Sequence, residues 1–492
     1  MRVTNGMLIN NSLSHINTNK STMDRLNTQL VSEKVIQRPS DDPIIAIRAL
    51  RFRTTIAEID QYIEKNISDA RSWMETTEEA LGTIVDIVGD ITEYCNQAVN
   101  GYYDATDKNT ILDSLKSFRE QIYSNANTDY TGMTIFTGFK TDQMLTYVED
   151  KSDKYQITEH FNLDDVDTLT KVKNAVDVSK INDATIASTN TKAVKLPTLD
   201  NAYRVRLAYQ KLDDTAGVTI KTTNPDEDIT GIMNKKSSDP DAYTPGEDDV
   251  YYLADKGELV LGSNAYAKLM AAEKFDVTYT KSEFFKGDLS PKQYFDCVDM
   301  TDDDSSKWVT YTNRSQEIKY EINFNQTMVI NTQGKDVFTP DMKRDLDDII
   351  DVVNVAVTAE EKRNKIKDLY NNADAGSAEK AKYKELLDLC EREVDFSKEN
   401  MKNAFSRGLT AYKNHQSVVS LARANVGVKL NRLDLNESRL ESQRVTIDNL
   451  KSINEEANVV NVAIELEEAS SIYDASLAAA SKVVQKKLLD FL

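Results

Sequence analysis

The side chains that could act as acids, bases or metal ligands are few and widely spaced. The chain has three histidines, His15, His160 and His415. Catalytic and metal sites usually reveal themselves by short motifs such as G-x-x-x-x-G-K-[ST], G-x-G-x-x-G, H-E-x-x-H or C-x-x-C, and the sequence contains none of these. We therefore predict no catalytic residue, no metal site and no cofactor, and we expect His15 and His415 to lie on exposed, polar faces of helices.

The cysteines give no sign of a structural framework. The chain has an odd number of cysteines, and the three lie far apart in sequence, at Cys95, Cys297 and Cys390. Neither a disulfide scaffold nor a zinc site has such spacing. We expect three buried or chemically indifferent thiols.

One acidic stretch is spaced like part of a calcium-binding loop. Asn224, Asp226 and Asp228 alternate along it. A calcium loop also needs glycine at its sixth position and glutamate at its twelfth, where this chain has Ile229 and Lys235. The stretch is therefore interpreted as a solvated turn.

Charge limits the kind of partner. The 492 residues include 60 lysines and arginines and 81 aspartates and glutamates, which gives a net charge of −21. Such a surface disfavours nucleic acid and anionic membranes as partners. The first 20 residues lack the charged and apolar regions of a cleaved signal peptide, and no apolar run is long enough to cross a membrane.

The elements that would position functional groups are long amphipathic helices at both ends of the chain. Residues 1–36 predict a thinly apolar helix with one stripe. Its members are Leu13, Ile16, Met23, Leu26 and Leu30. Residues 425–492 predict a second helix, about 100 Å long. This segment contains no proline, and its one glycine is Gly427, where we expect a kink. Its terminal stripe comprises Ile464, Ile472, Ala475, Ala479, Val483, Leu488, Phe491 and Leu492.

A proline-bounded turn follows the first helix. It contains Pro39, Ser40, Asp41, Asp42 and Pro43. Proline disfavours helix in the residue before it, so the first helix must stop here. Asp42 is placed to cap the next helix, with Pro43 at the first helical position.

Between the helical ends the periodicity changes to two. Residues 318–324, 205–209 and 275–279 alternate apolar and polar side chains, which is typical of half-buried antiparallel strands. Helical patterns return after Pro340, and a capping box at Thr358–Glu361 predicts the start of a further helix.

We therefore predict an α+β fold in which both termini form a long antiparallel helical bundle or coiled coil around a β-rich inserted middle domain. Five segments result: an inner helix at 1–43, helical segments at 44–140 and 336–454, a variable outer domain at 141–335, and a second inner helix at 455–492. The inner helices would form the assembly core, and we expect residues 1–40 and 455–492 to be largely disordered in the free monomer.

These local signals together resemble the flagellin superfamily. The N-terminal resemblance covers residues 29–43, including the Pro-Ser-Asp-Asp-Pro turn, and then Gln97 to Gly101 and Gly132 to Gly138. The C-terminal resemblance covers residues 426–433 and 473–492. The closing Leu-Asp-Phe-Leu is more similar to the hook-associated branch than to flagellin itself. Glu33 stands where the family usually has glycine. Because residues with a side chain rarely adopt positive φ, we do not expect a turn here that needs it.

The resemblance implies a structural, non-enzymatic subunit that joins the flagellar hook to the filament. Its implied partners are a K-type hook-associated protein, flagellin, further copies of itself in a ring, and an export chaperone at the C-terminal helix. It implies an extracellular position in the flagellum, reached by flagellar type III export without a cleaved signal peptide.

Three alternatives stay open. The chain could be flagellin itself, the filament subunit. Residues 141–335 could house a ligand-binding or enzymatic module. A self-contained coiled-coil scaffold would instead have stable helices in the monomer.

Overall fold

A computed structural model describes residues 5–100, 105–182, 184–223 and 229–489. Helices occupy both ends of the chain and strands fill the middle, so the predicted α+β class is confirmed. The helices are α1 (Asn5–Ser32), α2 (Pro43–Gln61), α3 (Ser68–Asn100), α4 (Ala105–Asn125), α5 (Ser263–Ala272), α6 (Pro291–Tyr294), α7 (Pro340–Asn372), α8 (Ala378–Glu455) and α9 (Val459–Leu489). A π-helical turn, Tyr62–Ile67, connects α2 to α3.

The strands are short and most lie between α4 and α7. They are β1 (Asp129–Tyr130), β2 (Met133–Thr134), β3 (Tyr155–Asn162), β4 (Val166–Lys173), β5 (Thr198–Arg206), β6 (Thr219–Thr222), β7 (Met233–Lys235), β8 (Val250–Leu253), β9 (Glu258–Leu261), β10 (Lys274–Lys281), β11 (Asp296–Asp299), β12 (Val309–Tyr311), β13 (Lys319–Asn323) and β14 (Gln326–Val329).

The chain divides into two compact units. Unit 1 comprises Met1–Ala70, Tyr320–Met328 and Asn431–Leu492, and unit 2 comprises Arg71–Lys319 and Val329–Leu430. In unit 1, Leu433 and Leu440 of α8 are fully buried, and the Arg444 guanidinium donates to the Asp60 carboxylate of α2 at 2.5 Å. Both chain ends therefore belong to the same unit.

Unit 2 contains two five-stranded sheets. Their strand orders are β12-β11-β3-β10-β6 and β4-β5-β9-β8-β7. Residues 275–279, predicted as a strand, lie in β10, which pairs with β3 from Lys274 opposite Asn162 to Lys281 opposite Tyr155. The pairs are antiparallel as predicted, except that β7 and β8 are parallel.

The helix start predicted at Thr358 is wrong. Thr358 does not open a helix: it lies inside α7, where its hydroxyl donates to the Asn354 carbonyl at 2.9 Å. A capping box needs an extended N-cap residue, and α7 has already begun at Pro340. Gly427, where we expect a kink, lies within α8, which continues through it.

The C-terminal helix predicted as unbroken is also interrupted. α8 ends at Glu455 and α9 begins at Val459. Asn458 starts α9, since its side-chain oxygen accepts from the Asn461 N–H at 3.2 Å and its carbonyl accepts from the Val462 N–H at 2.9 Å. The acidic stretch with Asn224, Asp226 and Asp228 lies outside the described residues.

Candidate functional site

The antiparallel helices α1 and α9 share one narrow apolar seam. The buried side chains at its centre are Leu26, Val462 and Ala469, and Met23, Leu30, Ala457 and Leu466 are partly buried against them. On both helices the less exposed positions alternate by three and four residues, the spacing of a coiled-coil seam. The positions that follow this spacing are Ile9, Ser12, Ile16, Asn19, Met23, Leu26 and Leu30 on α1, and Val462, Leu466, Ala469, Tyr473, Ser476 and Ala480 on α9. Thr22, Gln29, Ser32 and Ser470 are also less exposed and lie beside them.

A polar pair lies within this seam. The Asn19 amide donates to the Ser476 hydroxyl at 2.9 Å. A misaligned pair of helices would place each of these groups against apolar side chains, at a cost in free energy. The pair therefore favours one register of α1 against α9.

The structure separates the predicted interface residues into two sets. Leu26 is only 2% exposed and lies in the seam, while Ile16, Met23 and Leu30 are partly buried there. Five others are exposed on the outside of the helix pair: Leu13, Ile464, Ile472, Ala475 and Ala479. The side chains of Val483 and Leu488, and the whole of Phe491 and Leu492, lie outside the described residues.

We call the second set, defined by these five residues, the outer face. Leu13 is 52% exposed and Ile464 is 53% exposed. Ala475 follows Ile464 at three-turn spacing, so both lie on one side of α9. Glu467 and Asp474 lie on a different side of the same helix, together with Ala463, but the exposed Glu468 lies one helical turn from both Ile464 and Ile472. The outer face is therefore a mainly apolar surface, with Glu468 in its row on α9, that this chain alone leaves uncovered.

Helix α2 carries a further exposed apolar row that we did not predict. Ile44, Ile47 and Leu50 recur at three-residue spacing and are all exposed. The signal is visible in the sequence directly after the proline turn, as apolar residues on one side of the first helical turns.

The proline turn forms as predicted at its C-terminal end. The Asp42 carboxylate accepts from the Ile44 and Ile45 N–H groups at 2.9 and 3.2 Å, and Pro43 is the first residue of α2. The Asp41 carboxylate accepts from the Gln37 and Arg38 N–H groups, which closes the turn before the cap. The two aspartates thus hold separate halves of one turn.

The chain after α1 meets the break between α8 and α9. The Val35 N–H donates to the Glu455 carbonyl at 2.8 Å, and the Ala457 N–H donates to the Glu33 carbonyl at 2.9 Å. Lys34 and Glu456 form an antiparallel bridge between these bonds. We call residues 33–35 and 455–458 the junction. Its backbone bonds replace the helical bonds that an uninterrupted helix would form, which explains why α8 stops at Glu455.

A buried carboxylate anchors the junction. The Glu455 side chain is only 5% exposed, and the Arg53 guanidinium of α2 donates to both of its oxygens, at 3.1 and 2.6 Å. The Lys34 ammonium is 3.8 Å away. A two-pronged arginine pair fixes both the position and the orientation of a carboxylate. Because the partners lie 402 residues apart in sequence, no local pattern predicts this pair.

We expect Arg53→Met to destabilise unit 1 by about 2 kcal/mol. The change leaves the buried Glu455 carboxylate with Lys34 as its remaining cation; the value is below the loss for a fully buried pair because Arg53 is itself largely exposed. Chemical denaturation measures the loss. Arg51→Met, an exposed neighbour on the same helix, should change stability little. The double variant Arg53→Met/Glu455→Met should regain most of the loss; equal loss in the single and double variants would argue against the pairing.

Glu33 adopts a conformation that glycine prefers. Its φ is 57°, in the left-handed region, although it carries a side chain. The family that this chain resembles usually has glycine at this position. The turn with positive φ forms here although the residue is a glutamate. The Glu33 backbone is therefore strained. In this conformation its carbonyl accepts the hydrogen bond from the Ala457 N–H.

We therefore expect Glu33→Gly to stabilise unit 1 by about 1 kcal/mol, because glycine adopts positive φ without steric cost. Thermal unfolding of the two proteins would give the difference. The matched control is Gln37→Gly, another exposed position in the same connection, which has no positive φ and should destabilise slightly. A destabilised Glu33→Gly protein would show that the side chain matters more than the backbone strain.

Elsewhere, the possible catalytic side chains are dispersed or structural. His15 and His160 are exposed, and hydrogen bonding to Asp276 raises the pKa of His160. His415 is a correction to the prediction: it is mostly buried in unit 2 and 2.8 Å from the Asp345 carboxylate, because α7 covers that side of α8. No cluster of three potential metal ligands occurs in the described part of the chain.

The cysteines are buried thiols. Burial raises the pKa of Cys95 and Cys297 to about 12, and that of Cys390 to about 11. Thiolate is the reactive form of cysteine, so these side chains are poor nucleophiles at neutral pH. Of the helices in the described ranges, none combines the length and apolarity needed to cross a bilayer.

Comparison with known proteins bears on the helical ends. Residues 3–141 match the bacterial flagellin N-terminal helical region. Flagellar hook-associated protein 3 of Salmonella typhimurium is 28% identical over 144 residues, which are 29% of this chain and 45% of that protein. Flagellin of Escherichia coli is 27% identical over 294 residues, 58% of this chain and 56% of that protein. The matches thus span about half the length of these relatives.

Among solved structures, FlgL of Xanthomonas campestris aligns with 81% of this chain and 99% of its own, at 12% identity and a TM-score of 0.31. The sequence relatives are both flagellar proteins, and the family match covers the segment that holds α1, the proline turn and α2. The chain is therefore homologous to flagellar hook-associated protein 3 and to flagellin, and it carries the bacterial flagellin N-terminal helical region.

Proposed function

We propose that this protein is a structural subunit of the bacterial flagellum that joins the hook to the filament. In this proposal α1 and α9 pack coaxially with the same helices of neighbouring subunits, and no chemical reaction is involved. The five-segment division belongs to the proposal, with residues 1–43 and 455–492 as the assembly core and residues 141–335 facing outward.

The observation that carries the proposal is the contrast between the seam and the outer face. In the described residues the seam buries three apolar side chains, Leu26, Val462 and Ala469, along two helices of about 30 residues. Burial contributes roughly 25 cal/mol per Å² of apolar area, so this seam alone contributes little against the ordering of two helices. The outer face leaves apolar side chains such as Leu13, Ile464 and Ile472 about half exposed, and neighbouring copies would cover them.

The proposed partners are a K-type hook-associated protein, flagellin and identical copies in a ring. An export chaperone would hold the C-terminal helix before assembly, since that helix is incomplete until neighbours cover it. Type III export without a cleaved signal peptide would bring the subunit to the extracellular flagellum. The negative net charge disfavours binding to nucleic acid or anionic membranes, and it also disfavours random association.

A second candidate, the filament subunit flagellin, is favoured by one observation. The match to Escherichia coli flagellin is longer than the match to hook-associated protein 3, 294 against 144 residues. Position along the flagellum separates the two functions, because a junction ring needs few copies and a filament needs many.

Immunogold labelling of intact flagella tests the proposal. We expect a single band at the base of the filament, and cells lacking the gene should release filament protein into the medium without forming filaments. Gold along the whole filament would identify flagellin instead. Absence of gold from the flagellum, with normal filaments in the deletion strain, would contradict both functions.

A further inference from the structure

A cleft in unit 2, separate from the terminal helices, contains a lysine that forms no ion pair with the described residues. It has a volume of about 610 Å³, within the range of sites for small molecules. Strands β4 and β5, residues 237–244 and helix α7 supply most of its lining. Lys171 of β4 points into the cleft, where its ammonium lies over the Tyr243 ring, 4.0 Å from the ring centroid.

The other lysines of the cleft are paired. Lys173 lies 3.3 Å from Asp200, Lys256 lies 2.6 Å from Asp351, and Lys362 lies 2.9 Å from Glu393. Each pair cancels one charge. Asp200 is directly opposite Lys171 in the sheet, yet its carboxylate bonds Lys173 instead.

The remaining nearby carboxylates are also engaged. Glu258 accepts from Arg204 at 2.7 Å and from the Tyr243 hydroxyl at 2.9 Å. Asp239 is exposed at the rim and accepts from the Lys236 N–H. Within the described residues, no carboxylate or hydrogen-bond acceptor lies within bonding distance of the Lys171 ammonium, and burial lowers the pKa of this lysine. An ammonium that loses water without gaining acceptors is destabilised.

We propose that this cleft binds a small monocarboxylate whose carboxylate pairs with Lys171. The carboxylate would supply the acceptors that the ammonium lacks. Val172, Val355 and Pro240 offer apolar lining for the body of the ligand, and the exposed Ser238 lies at the rim. The Ser237 and Thr244 hydroxyls already donate to the Asp255 carboxylate and the Asp241 carbonyl. This site is independent of the proposed role in the flagellum.

The charge balance selects a monoanion. Among the described residues of the lining, Lys171 is the lysine without an ion pair, and the lining as a whole has four lysines and four carboxylates, so it has no excess positive charge for a second anionic group. A second negative charge on the ligand would also lie near Asp239 at the rim and the paired carboxylates of Asp351 and Glu393. Like charges at short range cost free energy in a partly desolvated cleft. A phosphate dianion is therefore a poorer ligand than benzoate or butyrate.

Calorimetric titration of the full chain with benzoate tests the site. We expect saturable binding that benzamide, its neutral counterpart of similar shape, does not reproduce. Lys171→Met keeps an unbranched side chain of similar length without the charge, and should weaken benzoate binding at least tenfold. The matched control Lys173→Met removes a paired lysine from the same face of the same strand and should change the affinity less than threefold.

Folding is followed separately by circular dichroism. The Lys171→Met protein should melt at the same temperature as the unmodified chain or higher, because the substitution removes an unpaired, partly buried charge. Equal binding of benzoate by the Lys171→Met and unmodified proteins, or no saturable binding by the unmodified protein, would overturn the proposal. Binding of inorganic phosphate alone would overturn the assignment to monocarboxylates.

Discussion

Cells whose only copy of this protein carries Ile464→Asp are expected to lose their filaments. Ile464 belongs to the outer face and is more than half exposed in the single chain, so an aspartate there removes little packing within the isolated subunit. In an assembly that covers the outer face, the same carboxylate would be buried without a partner, which costs several kcal/mol at each repeat of the contact. A loss of about 3 kcal/mol would reduce the association constant by more than 100-fold.

The adjacent residue provides the control. Ala463→Asp introduces the same charge one position earlier, on the side of α9 that already carries Glu467 and Asp474. We expect normal filaments with this variant. Electron microscopy counts filaments per cell, and immunoblotting of the medium shows whether each variant is exported. Normal filaments with Ile464→Asp, or equal losses with both variants, would show that the outer face is not an assembly surface.

The second large effect concerns unit 2, which should lose stability as pH rises from about 4.5 to about 7. Glu159 lies on the inner side of β3, beside Ile157 and Phe161. Its carboxyl accepts from the Ala208 N–H at 2.9 Å and from the Tyr279 hydroxyl. Burial raises the pKa of Glu159 from 4.5 to about 7, and the two hydrogen bonds offset only part of this effect.

The sign follows from proton binding in the two states. Between pH 4.5 and 7 the folded protein keeps the Glu159 proton while the unfolded chain releases it, so the free energy of unfolding falls as pH rises. Below this window the contribution of Glu159 is fully present, and above it the loss is complete, on the order of 3 kcal/mol. Carboxylates with lowered pKa values, such as Asp348 beside Arg204, act in the opposite direction at lower pH.

A difference between two proteins isolates Glu159 from these other groups. We expect Glu159→Gln to gain about 3 kcal/mol relative to the unmodified chain between pH 4.5 and 8, because glutamine has no proton to lose. Denaturant unfolding across that range gives the difference at each pH. Glu283→Gln, at an exposed position of the same unit, should differ from the unmodified chain by a constant amount. If the difference in free energy of unfolding between the Glu159→Gln and unmodified proteins also did not change with pH, the assignment of this pH dependence to Glu159 would be refuted.

The terminal helices could be predicted because their signals are local. Apolar spacing marks α1 and α9, and the order of Asp42 and Pro43 predicts the cap that the structure contains. The same spacing did not separate the seam from the outer face. Leu26 and Ile464 look alike in sequence, and only the partner helix decides which of them is buried.

The junction could not be predicted because its cause is a tertiary contact. Neither proline nor glycine interrupts residues 428–492, so the helical pattern continues through Glu455. Asn458 was the one local signal for a new helix. The decisive interactions, from Arg53 and from the backbone of residues 33–35, come from the opposite end of the chain.

The polar residues of unit 2 illustrate the same limit. Glu159 occupies an inward position in an alternating strand, where a glutamate would be expected to face water. The segment with Ala208 covers it and supplies an N–H donor. Lys171 is half-buried because residues 237–244 fold over β4. Periodicity describes one strand at a time and contains no information on what covers it.

The central claim is that α1 and α9 remain incomplete until other subunits cover the outer face. Hydrogen–deuterium exchange of the isolated monomer and of assembled flagella tests it directly. We predict rapid exchange across residues 5–32 and 459–489 in the monomer and strong protection of both segments after assembly, with α8 protected in each state. Strong protection of both segments in the monomer would contradict the claim.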